Sequence, residues 1–362
     1  MTLALLMTIA SLAAEPPIDW PALIQKPYEK ATVPDLGLKP LLVAEDGAKI
    51  TTKAEWEKER TLLRDTWLKQ LGKPPDKPDK LNVKTEKTDK LDGFTRQLLS
   101  FQSEGDDRIR AYLLTPTALK KGDKRPAVVV FHPTTRDTLK ELAGLGDNPE
   151  RAHGVHLVER GYIVLCPECF ILKDPEGWAK GQAAALEKRR PGWTGMGKMT
   201  FDASRCIDFL ESLPEVDKER FGCLGHSLGA KEVLYAMAFE PRYRAGVFNE
   251  GGIGIRMSNW TDVWYLTEKI KPRLTELEHH QLMSLIAPRP FLILGGGDAD
   301  GDASWPFVKA VLPVYELLGA GERVGLINHK AKHSFPAEAR KLAFRWLDDG
   351  LGFTPTPHSV DK

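Results

Sequence analysis

A chain of 362 residues, 42% of them hydrophobic, is long enough to bury one large core. Its 51 Lys and Arg nearly cancel 50 Asp and Glu, leaving a formal net charge of +1. That balance excludes a strong field for nucleic acid or an anionic membrane, and no basic stripe interleaved with aromatics is present.

The N-terminus stands apart. Thr2 to Ala14 reads TLALLMTIASLAA, an uncharged apolar run that stops at Glu15-Pro16-Pro17. It is too short to span a bilayer and has the length of a signal-peptide core. Residues 1–14 are therefore expected to be a signal peptide, and the protein to be exported to the periplasm or secreted. A buried N-terminal helix is the alternative, because no Lys or Arg precedes the run. No other stretch is long and apolar enough for a stable membrane span.

Residues 15–90 read as a wrapping segment with one helix, 52–71. Thr52 can cap that helix, Glu55 falls three residues on, and Trp56, Leu62, Leu63, Trp67 and Leu71 recur at helical spacing. The lysine- and proline-rich stretch up to Lys90 reads as a solvated linker. From 91 to 352 strands and helices alternate. Phe94–Phe101 and Arg110–Thr115 suit an antiparallel pair, and Pro126–Phe131 (PAVVVF) suits a strand buried on both faces. Tyr162–Cys166, Phe221–Leu224, Ala245–Phe248, Phe291–Leu294 and Val324–Ile327 complete the strands, with helices expected at 151–160, 200–213, after Ser227 and at 341–351. Residues 170–199 read as a rim insertion and 353–362 as a tail. The alternation implies a mostly parallel, eight-stranded sheet with helices on both faces. In such sheets, sites lie beyond the carboxyl ends of the strands.

Four cysteines occur, Cys166, Cys169, Cys206 and Cys223. Cys206 and Cys223 fall on an apparent helix and central strand and read as buried thiols. The Cys166-Pro-Glu-Cys169 pair lacks the second pair that a zinc site needs, so no metal site is expected.

The chemistry concentrates at strand ends. Gly225-His226-Ser227-Leu228-Gly229 follows a strand and opens a helix. A sharp turn there lifts the Ser227 hydroxyl clear of the sheet, and the Leu228 N–H becomes one oxyanion donor. The loop after the last strand carries His333, the expected base; His329, closer to the strand end, reads as structural. The acid should follow Phe291–Leu294, where Asp298, Asp300 and Asp302 are available. Asp300 is preferred, Asp298 is its alternative, and Asp302 suits a turn. Glu250, after Ala245–Phe248, is a further candidate, since either place could orient the imidazole. The second oxyanion donor should come from His132-Pro133-Thr134-Thr135. Pro133 has no N–H, which leaves Thr134 or Thr135.

Together GFTRQLLSF, RAYLLTP, PAVVVFHP, RGYIVLCPE, GCLGHSLGAKE, LIAPRPFLILGG and KHSFP resemble the α/β-hydrolase fold, in its dienelactone-hydrolase and acetyl-xylan-esterase-like group. His279-His280-Gln281-Leu282 ahead of Ala287-Pro288-Arg289-Pro290 is similar to the glucuronoyl esterases. The resemblance implies an exported serine esterase with the triad Ser227, His333 and Asp300 (or Asp298, or Glu250). The cysteine nucleophile of true dienelactone hydrolases is absent. Trp193, Trp260 and Trp305, with Trp178 and Trp264, fall in the insertion or in loops after strands. Their rings suit a substrate rim for sugars, or else anchor the loops to the body. Lys198, Arg189 and Arg190 could meet a substrate carboxylate or form a solvated rim.

Three functions are in contention. The first is ester hydrolysis through an acyl-enzyme on a small-molecule or polysaccharide ester, a deacetylase or uronate esterase. It calls for no cofactor, no metal and no nucleic acid. The second is a peptidase or amidase with the same triad. The third is an exported binding protein on a hydrolase scaffold that no longer catalyses.

Overall fold

The computed structural model describes residues 16–32, 34–173 and 178–355. The expected signal peptide, residues 1–14, and most of the expected tail lie outside them. Among the described residues no helix is long and apolar enough to cross a membrane.

The core is a nine-stranded sheet. Its strands are β1 (Lys84–Lys90), β2 (Phe94–Gln102), β3 (Arg108–Pro116), β4 (Arg125–Phe131), β5 (Ile163–Pro167), β6 (Val216–His226), β7 (Tyr243–Asn249), β8 (Phe291–Gly295) and β9 (Val324–Asn328). Their spatial order is β1-β2-β3-β5-β4-β6-β7-β8-β9. β1 to β3 are antiparallel, as is the β3–β5 pair, and β5 through β9 run parallel.

The expected eight strands become nine because β1 forms inside the supposed linker. Its sequence, KTEKTDK, has no apolar residue and its side chains are almost all exposed. Backbone pairing with β2 makes it a strand, and its charges protect the sheet edge.

Helices cover both faces. β4 shows why: Ala127, Val129 and Phe131 join one apolar cluster, while Val128 and Val130 join the other. The first cluster takes the helices Lys53–Leu71, Gly195–Glu211, Leu228–Phe239, His280–Ile286 and Trp305–Leu317. The second takes His153–Glu159 and Ala337–Leu351. The helix expected at 52–71 forms as Lys53–Leu71 with a complete Thr52–Glu55 capping box. It is docked on the body, since Trp67 Nε1 donates to Gln281 Oε1 at 3.0 Å. Helices now cover a parallel sheet whose strand ends gather on one rim, where the candidate site lies.

Candidate active site

The turn from β6 into the helix Leu228–Phe239 is sterically forced. A Cβ on Gly225 would stand 2.2 Å from the backbone of Gly229, and one on Gly229 would stand 2.1 Å from Phe131 O. Glycine at both positions lets the helix start press against β4 and β6. Between them Ser227 adopts φ 56° and ψ −116°, a conformation L-residues rarely take. Its N–H donates to Asn249 O at 2.9 Å, which ties the strained residue to β7. The strain turns the Ser227 hydroxyl out of the sheet.

His333 reaches that hydroxyl from the loop after β9. Its Nε2 lies 3.0 Å from Ser227 Oγ, and its Nδ1 lies 3.1 Å from Glu250 Oε2. The carboxylate on the histidine is thus Glu250, which follows β7 directly. Its side chain is fully buried. Glu250 Oε2 accepts the N–H of Ala299 at 2.8 Å, and Oε1 accepts those of Gly296 and of Asp300. Burial pushes the Glu250 carboxyl up, but these bonds and the imidazole outweigh burial and hold it below the usual range.

Asp300, the acid preferred from the sequence, is occupied elsewhere. Its side chain accepts the N–H groups of Gly252 at 2.6 Å and Ile253 at 2.8 Å, and the Ser304 hydroxyl at 2.8 Å. Burial raises its pKa to about 6. Asp300 therefore clamps the loop after Glu250 and does not touch the imidazole. Asp298 comes within 3.8 Å of His333 Nδ1 but is 62% exposed, so water screens it. Glu250, Asp298 and His333 offer ligand atoms within 4.8 Å of one another, a spacing a metal ion could use. Both ring nitrogens of His333 are already engaged by Ser227 and Glu250, which favours proton transfer there.

The hydrogen bond to Glu250 is the main reason the His333 pKa lies above its ordinary 6.5; burial opposes it. A base must be neutral to accept a proton. The rising acid limb of kcat/KM is therefore expected to centre above 6.5. A pH profile on a small ester checks this, and a limb centred below that value would contradict the pairing.

The expected oxyanion donors lie at the start of one helix and in the loop after β4. Leu228 is the first residue of the helix, where an N–H has no intrahelical partner. Thr134 is exposed and Thr135 half-buried in the loop after β4. Thr135 Oγ1 accepts the Thr138 N–H at 3.0 Å, which closes that loop.

Two residues were not singled out from the sequence. Burial pushes the His132 pKa down to about 4, so the ring is neutral. Its Nε2 accepts the Cys169 N–H at 3.0 Å and its Nδ1 donates to Pro133 O at 2.8 Å. It sets the path of the oxyanion loop, and a histidine directly after a buried strand is the signal that could have found it. Asn249 Nδ2 donates to His226 Nδ1 at 2.7 Å and to Ser334 O at 3.0 Å, joining the elbow to the histidine loop.

Trp178 is exposed, but the tryptophans expected first at the substrate rim do not form one. Trp193, Trp260 and Trp305 are 3%, 0% and 4% exposed. Trp305 stacks on Tyr28 and Trp193 packs edge-on to Phe201. Trp260 donates to Gly252 O at 2.6 Å and lies 4.0 Å from Lys231 Nζ. All three anchor loops to the body, since large loops need apolar anchors. Trp260→Ala should lower the unfolding free energy by about 3–5 kcal/mol, read from the urea midpoint. An exposed rim tryptophan would cost under about 0.5 kcal/mol. Lys198 is also fully buried, bonded to Asp107 at 2.7 Å and Asp202 at 2.6 Å, and Arg189 pairs with Glu104 at 3.1 Å. His329 holds the Ala331 N–H at 3.2 Å, a structural contact. All four cysteines are free and buried.

The chain is similar to several known proteins. Residues 109–263 match the model of the dienelactone hydrolase family. A 4-O-methyl-glucuronoyl methylesterase 1 of Sodiomyces alcalophilus is 29% identical over 187 residues, covering 43% of this chain and 38% of that one. The chain thus aligns with well under half the length of that relative. YtaP of Bacillus subtilis (strain 168) is 23% identical over 305 residues, covering 81% of this chain and 100% of its own. A solved glucuronoyl esterase from Solibacter usitatus superposes with a TM-score of 0.71 at 19% identity, covering 89% of this chain and 100% of that one. The family resemblance and the fold expected from the elbow and the APRP segment are thereby shown. The chain has the α/β-hydrolase fold, and its residues 109–263 are similar to the dienelactone hydrolase family.

Proposed function

We propose that the chain is a serine carboxylic ester hydrolase that acts on carbohydrate esters through an acyl-enzyme. The observation that carries this reading is the line Ser227 Oγ–His333 Nε2 at 3.0 Å and His333 Nδ1–Glu250 Oε2 at 3.1 Å, set on the ends of β6, β7 and β9. His333 takes the Ser227 proton as Oγ attacks the ester carbonyl. The Leu228 N–H, with that of Thr134 or Thr135, serves the developing oxyanion, and Glu250 stabilises the imidazolium. His333 then protonates the departing alcohol. Water, deprotonated by the same ring, releases the acid and restores Ser227.

The carbohydrate class is supported by the names of the similar proteins, a glucuronoyl methylesterase and glucuronoyl esterases among them. Export through the apolar run 2–14 fits a polysaccharide substrate met outside the cytoplasm. The test is hydrolysis of p-nitrophenyl acetate by the protein lacking residues 1–14, beside Ser227→Ala. Turnover lost in the variant supports the reading. Turnover of peptides with none of esters would favour a peptidase, and full activity in the variant would reject the nucleophile.

A further inference from the structure

Asn249 is the last residue of β7 and directly precedes Glu250. It is fully buried, and the β6–β7 register sets it opposite His226, the residue before the nucleophile. Its backbone carbonyl accepts the Ser227 N–H at 2.9 Å. Its side-chain Nδ2 donates to His226 Nδ1 at 2.7 Å and to Ser334 O at 3.0 Å. Ser334 follows His333 in the chain. Asn249 thus bonds the backbone of the nucleophile and the loop of the base, and a peptide bond joins it to the acid.

The orientation of the Asn249 amide follows from its partners. Ser334 O can only accept, so it must meet the NH₂ and not the amide oxygen. The second hydrogen of that NH₂ then goes to His226 Nδ1, which leaves the ring its proton on Nε2. Burial lowers the His226 pKa to about 4, so the ring is neutral and Nδ1 is able to accept. The amide oxygen is left buried with no hydrogen-bond partner among the described residues. An unpaired buried acceptor costs about 1–3 kcal/mol, which argues against a role in stability alone.

His333 needs such a tie. Its side chain is 39% exposed, so packing by itself does not hold it. The chain before it is fixed to the end of β8, where His329 N–H donates to Gly295 O at 2.7 Å and Lys332 N–H to Gly296 O at 3.0 Å. Toward β6 and β7, apart from the bonds of the triad itself, the hydrogen bond that holds this loop among the described residues is the one from Asn249 to Ser334 O. The ring has a flanking support as well. The His226 ring lies beside it, with centroids 4.8 Å apart and planes at 42°. His333 must keep Nε2 on Ser227 and Nδ1 on Glu250 at once, and a misplacement of about 1 Å in such a line costs about a hundredfold in rate.

We propose that Asn249 is a positioning residue that sets His333 in register with Ser227 and Glu250, acting through the Ser334 carbonyl and the His226 ring. The inference rests on the esterase reading and deepens it, since it names what fixes the spacing of the triad.

The test is a double-mutant cycle on p-nitrophenyl acetate, with Asn249→Ala made in the wild type and in His333→Ala. In the wild type the change should lower kcat by about tenfold to a hundredfold, with KM altered by less than about threefold. In His333→Ala there is no imidazole left to place, so the residual rate should fall by less than about twofold. Losses of equal size in the two backgrounds would mean a role in the fold alone and would overturn the proposal. So would an unchanged kcat in the wild type. Asn249→Asp keeps the side-chain volume and lacks the NH₂, so the same cycle with it decides the matter if Asn249→Ala fails to fold. Failure of the esterase reading is separate and visible, since Ser227→Ala would then leave hydrolysis intact whatever stands at position 249.

Discussion

Ser227→Ala is expected to lower kcat for p-nitrophenyl acetate by about 10⁴ to 10⁶-fold, with KM changed little. The substitution removes the oxygen that His333 Nε2 faces, at 3.0 Å, so no acyl-enzyme can form. The Leu228 N–H and the start of its helix stay in place, and binding plus oxyanion stabilisation still leave some rate above that of water. Alanine meets the same positive φ that Ser227 already bears, 56°, so the change adds no new backbone strain. The urea midpoint should hold while turnover disappears. Labelling by a fluorophosphonate, which reports the activated hydroxyl, should vanish in parallel. More than a tenth of the wild-type rate in the variant would remove Ser227 from the mechanism.

Glu250→Gln and Asp300→Asn should separate two carboxylates that stand side by side. Glu250→Gln is expected to cost about 10³ to 10⁴-fold in kcat, because an amide can present its NH₂ to Nδ1 and stabilise the wrong tautomer. The variant also loses the largest influence that raises the His333 pKa. Its acid limb should move to lower pH, a shift that a merely structural role would not produce. Asp300→Asn should act on stability instead. The aspartate accepts two backbone N–H groups at 2.6 and 2.8 Å, and the NH₂ of asparagine would face one of these donors. A loss of about 1–3 kcal/mol is expected, with kcat reduced by less than about tenfold. The opposite pattern, with Asp300→Asn abolishing turnover and Glu250→Gln mild, would return the acid to the loop after β8.

The elbow and the histidine were legible in the chain because their signals are local. A strand, two glycines around a serine and a helix are contiguous from Phe221 to Phe239, and the turn between them is forced by short-range sterics. His333 was legible by its place after the last strand. The parallel sheet followed from the alternation of apolar runs with helical periods.

What the chain could not decide was settled by pairings between distant segments. Glu250, Asp298 and Asp300 all lie at the ends of neighbouring strands, and no local pattern tells which one faces the imidazole. The β7–β8 pairing decides it by turning the N–H groups of Gly296, Ala299 and Asp300 onto Glu250. The same loop crossing commits Asp300 to the backbone of Gly252 and Ile253. β1 was invisible for a related reason: its seven residues carry no apolar side chain, and only the β2 backbone makes them a strand. The tryptophans show the limit from the other side. Their loop positions suit either a rim or an anchor, and burial of Trp193, Trp260 and Trp305 follows from what packs over them. The sequence by itself pointed to Ser227, His333 and the layered sheet, because each signal rests on neighbours in the chain. Only the tertiary structure decided the acid, the edge strand and the burial of the aromatics, because hydrogen bonding and exclusion of water there depend on segments tens of residues apart.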